Sequence, residues 1–109
     1  MTRGPLRQRI GLESEELDAF CRRWRVRRLS AFGSVLGDGF RSDSDLDLLV
    51  SFTPDAPWSM LDLVRVRDEL VRSTGREVDL IEEEALAGSR NYIRRRAIQT
   101  SAKVIYALG

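Results

Sequence analysis

The stretch that decides the fold is Phe32-Gly33-Ser34-Val35-Leu36-Gly37-Asp38-Gly39-Phe40-Arg41-Ser42-Asp43-Ser44-Asp45-Leu46-Asp47-Leu48-Leu49-Val50. Its second half alternates and predicts a strand over about 45–52. Side chains two apart on a strand share a face, so Asp45 and Asp47 point together while Leu46, Leu48 and Val50 turn into a core. Two carboxylates held side by side repel. A hard divalent cation such as Mg²⁺, which prefers oxygen ligands, makes sense of the pair. At the other end, Gly33-Ser34 follows a weakly alternating strand expected over 27–32 and opens a turn, with a short helix near 34–37. Glycine lets a backbone approach a ligand closely, and amides beside a serine hydroxyl suit phosphate groups. Asp38 and Asp43, between the two ends, read as turn and capping residues.

Working outward, residues 1–12 are expected to form a loose N-terminus. Ser14 is placed to cap a helix running to about Arg25, with Glu15 and Glu16 in its first turn, where acids suit the dipole. Leu17, Phe20, Cys21 and Trp24 follow the spacing of one buried helical face, which puts the lone cysteine in the core. Pro54 and Pro57 end the second strand. A second helix is predicted over 59–74, its apolar stripe formed by Met60, Leu61, Leu63, Val64, Val66, Leu70 and Val71, with Gly75 as its stop. Glu77–Ile81 reads as a third strand, Val78 and Leu80 on one face and Asp79 on the other. Ser89 is expected to cap a last helix over about 90–101, and Val104-Ile105-Tyr106 to close the sheet.

The pattern predicts an α/β (α+β) fold, a small mixed sheet packed on helices, with residues 1–109 as one domain. The chain has 109 residues, 42% apolar and 32% charged, with a net charge of +1 that gives no global case for nucleic-acid binding. No apolar run approaches a membrane span, and Met1–Ile10 is too polar for a signal peptide, so a cytoplasmic location is expected. There is no histidine and only one cysteine, which removes serine–histidine chemistry, internal disulfides and histidine-held zinc. Any metal must therefore sit on carboxylates.

With the strands side by side and their apolar faces on the helices, Asp45, Asp47 and Asp79 project from one opposite face. Mg²⁺ binds through a few carboxylates plus substrate phosphates, and two metals about 4 Å apart can clamp an in-line phosphoryl displacement. A phosphate-holding turn, two metal carboxylates and a third able to orient or deprotonate a hydroxyl together describe nucleotidyl transfer. The arginines at 22, 23, 25, 27 and 28 form a basic run that offers a weaker alternative, attraction of nucleic-acid phosphates.

Gly33-Ser34, ten residues, then Asp45-Leu46-Asp47 resembles the signature of the minimal nucleotidyltransferases (MNT proteins) of the DNA polymerase β-like superfamily. Gly75-Arg76-Glu77-Val78-Asp79-Leu80 looks like that family's third-carboxylate strand, and Ile93-Arg94-Arg95-Arg96-Ala97 through Tyr106 is similar to its end. The resemblance covers residues 15–107. It implies a polymerase β-like fold, Mg²⁺ (or Mn²⁺) in a two-metal site on Asp45, Asp47 and Asp79, and ATP held by Gly33 and Ser34. It also implies an antitoxin that transfers AMP to a tyrosine of a HEPN-type toxin partner. The chain departs from the pattern at Val35-Leu36-Gly37, where many relatives carry an arginine, and at Ser42, where many carry proline. The chain has no room for a domain that cradles an acceptor, so a partner or a second copy in a homo-oligomer is expected to complete the site. A non-catalytic binding module, acting through the apolar stripe of helix 59–74 and Arg94–Arg96, is the competing reading.

Overall fold

The computed structural model describes residues 9–41 and 43–108; Ser42 and most of the expected N-terminal arm lie outside them. In chain order the elements are α1 (Ser14–Arg23), β1 (Val26–Phe32), a 3₁₀ turn (Gly33–Leu36), β2 (Leu46–Phe52), α2 (Met60–Thr74), β3 (Val78–Glu82), α3 (Glu83–Ala87), α4 (Tyr92–Ser101) and β4 (Lys103–Ala107). The four strands form one sheet in the order β3-β2-β1-β4. β1 runs antiparallel to both β2 and β4, and β2 pairs parallel with β3, so the sheet is mixed, as expected. A parallel pair needs a crossover, and α2 is that crossover.

One face of the sheet carries the main core. Leu29, Ala31, Leu46, Leu48, Val50, Val78 and Ile105 pack there against Leu17, Phe20 and Cys21 of α1 and Val66 and Leu70 of α2. Cys21 is fully buried, as its place in the apolar stripe requires. Ile10 and Leu12 join this core with 1% and 6% of their surface exposed, so the arm expected to be loose is tied down at least from Ile10. Two apolar side chains one turn away from α1 are too short a pattern to announce their burial.

Three helix boundaries differ from expectation. Glu13, not Ser14, precedes α1, and its backbone N–H donates to the Glu16 carboxylate at 3.3 Å. α1 stops at Arg23 because Arg25 takes a left-handed φ of 56° to enter β1. Asn91, not Ser89, caps α4, its side chain accepting from the Arg94 N–H at 3.1 Å; the Ser89 hydroxyl accepts from the Asn91 N–H instead. Gly75 ends α2 with φ of 71°, as predicted.

The opposite face is not bare. Phe32, Leu49, Leu86 and Ile98 form a second small cluster beneath α3 and α4, with Ile81 packed against it. α3 was not foreseen: five residues beginning Glu-Glu show no helical period. It packs on β2 and β3 on the face that bears the carboxylates, while Gly33, Ser34, Asp45 and Asp79 stay exposed.

Candidate active site

Asp47 lies in β2 and Asp79 in β3, and the parallel register sets the two against each other on adjacent strands. Asp45 sits just before the strand, which begins at Leu46 rather than at 45; the Leu46 N–H donates to the Glu77 carbonyl at 2.8 Å and starts the ladder. Burial pushes the Asp47 carboxyl above the usual carboxylate range, the Asp79 and Asp45 carboxylates push it further, and Arg94 pulls it back. Asp47 is half-buried; Asp45 and Asp79 are exposed. Arg94, at the start of α4, reaches Asp79 at 3.9 Å.

The Gly-Ser turn meets this group directly. Gly33 has φ of 76°, a left-handed conformation that disfavours any side chain. A Cβ placed on Gly33 would run into the Asp47 carboxylate, coming within 3.2 Å of its Cγ. The missing side chain is thus the space in which Asp47 lies against the turn. Ser34 is exposed beside it, and the Ser34 carbonyl accepts from the Gly37 N–H at 3.0 Å to close the turn.

Two arginines brace the loop that joins the turn to Asp45. The Arg9 guanidinium donates to the carbonyls of Val35 at 2.6 Å and Gly37 at 2.8 Å. The Arg76 guanidinium donates to the carbonyls of Arg41 at 2.7 Å and Ser44 at 3.0 Å and stacks 4.0 Å above the Phe40 ring. Arg76 therefore braces the segment that leads into Asp45. Neither role is visible in sequence, because a charged side chain gives no sign of the distant carbonyl it reaches. Replacing Arg76 with methionine is expected to cost about 1–2 kcal/mol in urea unfolding, and lysine to recover only part of it, because an ammonium lacks the flat face that stacks on Phe40.

The basic run of the first strand is engaged elsewhere. Arg28 grips Glu83 through two bonds of 2.8 and 2.6 Å, Arg23 pairs with Glu69, Arg25 with Asp55, and Arg27 donates to the Ser51 hydroxyl. The Glu83 carboxyl is held below its usual range by the Arg28 bond. These four arginines tie elements together, while Arg22 of the same run is exposed.

Among the described residues no group of three His, Cys, Asp or Glu side chains is already gathered to hold a metal ion. The donor set still fits Mg²⁺: all oxygens, two carboxylates paired across adjacent strands, a third two residues away, and an open side where phosphate oxygens and water can complete an octahedron. Among the described residues no helix is long and apolar enough to cross a membrane.

A sheet that offers paired carboxylates beside a glycine-opened turn has the parts that a metal-assisted phosphoryl-transfer site uses. The family profile described as nucleotidyltransferase domain matches residues 14–103. The chain belongs to that family, and within it to the minimal nucleotidyltransferases. A protein of Methanocaldococcus jannaschii, named as a candidate protein adenylyltransferase, is 43% identical over 56 residues, which are 51% of this chain and 58% of that protein. The chain thus spans little more than half the length of this curated relative. A solved structure described as a candidate minimal nucleotidyltransferase is 33% identical, covers 94% of this chain and 95% of its own, and superposes with a TM-score of 0.65. A complex of a tri-AMPylated Shewanella oneidensis HEPN toxin with its MNT antitoxin matches 94% of this chain and 73% of its own at 14% identity and a TM-score of 0.59, which shows a shared fold.

Proposed function

We propose that this protein transfers AMP from ATP, with Mg²⁺, to a hydroxyl of a partner protein, a tyrosine of a HEPN-type toxin, and acts as its antitoxin. The observation that carries the reading is the Asp47–Asp79 pair on adjacent strands, with Asp47 lying against Gly33. Bound Mg²⁺ would supply charge to the phosphates and to the leaving pyrophosphate. Asp45, Asp47 and Asp79 would hold it, and the Gly33-Ser34 amides and hydroxyl would seat the triphosphate. Asp79 is exposed, so it can also orient the incoming hydroxyl and take its proton. The acceptor oxygen forms a bond to the α-phosphorus as the bond from that phosphorus to the bridging oxygen breaks, and pyrophosphate departs. The name of the M. jannaschii relative and the AMPylated state of the Shewanella toxin support this choice of reaction and partner.

Incubation with α-labelled ATP, Mg²⁺ and the product of the neighbouring gene should label that product. Absence of label, or label equally present with Asp45→Asn, sinks the proposal. Independently of any acceptor, millimolar Mg²⁺ with ATP at 100 times its Kd should add about 2.7 kcal/mol of stability. An unmoved melting temperature argues against a nucleotide site.

A second reading, neutralisation by complex formation alone, draws on the exposed Met60, Leu61 and Val64 at the start of α2, of which Met60 is 80% accessible. Neutralisation retained by an Asp45→Asn, Asp47→Asn double variant favours it; neutralisation lost with binding intact favours catalysis.

A further inference from the structure

The carboxylate cluster already has a cation of its own. Arg94 stands 3.9 Å from Asp79, and both side chains are half open to solvent. The parallel register sets Asp47 beside Asp79, so the guanidinium stands next to the pair. Arg94 sits in the first turn of α4, and its backbone N–H is taken by the Asn91 cap, so the helix start is built without its side chain.

Among the described residues, the Gly-Ser turn itself carries no such charge. Val35, Leu36 and Gly37, which follow the Gly-Ser turn, are apolar or bare. The nearby Arg9 and Arg76 guanidinia are committed to backbone carbonyls of the loop. A nucleoside triphosphate brings several negative charges to this spot, and arginine is the side chain whose planar fork best meets phosphate oxygens.

We propose that Arg94 is an exchangeable counter-cation of the site: it neutralises the Asp47–Asp79 pair in the free protein and moves to the phosphates of a metal-bound nucleoside triphosphate. The inference rests on the nucleotide-transfer reading above and adds a residue to it. It gives two effects of opposite sign. In the free protein Arg94 competes with a divalent cation for the carboxylates. With nucleotide present it contributes to binding.

The test compares wild-type protein with Arg94→Gln and Arg94→Lys. Mn²⁺ alone is titrated by electron paramagnetic resonance, and Mg²⁺ with the non-hydrolysable AMP-PNP by calorimetry. Arg94→Gln should bind Mn²⁺ about two- to fivefold more tightly, the scale of an exposed ion pair. It should bind AMP-PNP with Mg²⁺ about tenfold more weakly, the scale of a charge-assisted contact. Arg94→Lys should keep the wild-type Mn²⁺ affinity and fall between the two for nucleotide. A merely structural role predicts both affinities moving together, which overturns the assignment, as does an Arg94→Gln variant unchanged in either. Wild-type protein that binds neither probe overturns the nucleotide-transfer reading itself and the assignment with it.

Discussion

Replacing Asp47 with asparagine should raise the melting temperature of the metal-free protein while lowering nucleotide transfer by about 10³-fold, the scale seen when one group that stabilises transition-state charge is removed. The two effects share one cause. Asp47 is pushed above its usual range by burial and by the Asp79 and Asp45 carboxylates. The native state therefore holds the Asp47 proton more tightly than the unfolded chain does. Stability falls as pH rises through that interval, the reverse of an aspartate held in a salt bridge. At neutral pH the ionised carboxylate is a standing cost, and an uncharged amide of the same shape removes it. The expected gain is roughly 1–4 °C, since the site is partly open to solvent. Calorimetric scans at several pH values check the sign: the lead of the variant over wild type should widen as pH rises above the ordinary aspartate range. A variant less stable than wild type at neutral pH would contradict the electrostatic account. A cation in the site should reverse the ranking, because wild type gains from it and the variant does not.

Gly33→Ala should be the most damaging alanine substitution among the described glycines. Two costs combine there. The left-handed backbone at φ of 76° costs an L-residue about 1–2 kcal/mol. The new Cβ must also displace the Asp47 carboxylate, which adds overpacking of about 1–3 kcal/mol. Gly75→Ala is the matched control, with a similar φ of 71° and open space around the would-be Cβ. It should lose about 1–2 kcal/mol from the backbone alone and keep its response to Mg²⁺ and nucleotide. Denaturant unfolding separates the two, and Gly33→Ala should lose the ligand-induced rise in melting temperature altogether. Equal losses for the two variants would mean that Asp47 is not held against the turn.

Much of the arrangement was legible in the sequence because it follows local periods. Leu46, Leu48 and Val50 alternate with Asp47, and the alternation alone assigns both faces of β2. The stripe of α1 and the Gly75 stop were readable for the same reason. What escaped was short or made through space. Ile10 and Leu12 offer two apolar residues with no period to extend. α3 is one turn and a half, opened by acids that could as well belong to a loop. Asn91 and Ser89 are equally good caps by type, and only the direction of the chain decides between them. The strand register that pairs Asp47 with Asp79 depends on how a crossover helix lands, which no local pattern encodes. Arg76 and Arg94 are further cases, since a charged residue on a surface helix or strand end gives no sign of which distant group it reaches.

The parallel pairing of β2 with β3 has a kinetic side. Asp47 and Asp79 are neighbours only after the whole of α2 has been laid back across the sheet, a closure that is slow to make because its loop entropy is lost before any contact is gained. The hairpin of β1 and β2 can form early and would carry the Gly-Ser turn with Asp45 and Asp47, half a site with no third carboxylate. A chain still emerging from synthesis is thus denied the complete acidic pocket until its middle helix is seated, and competence to bind becomes a report that the fold is finished.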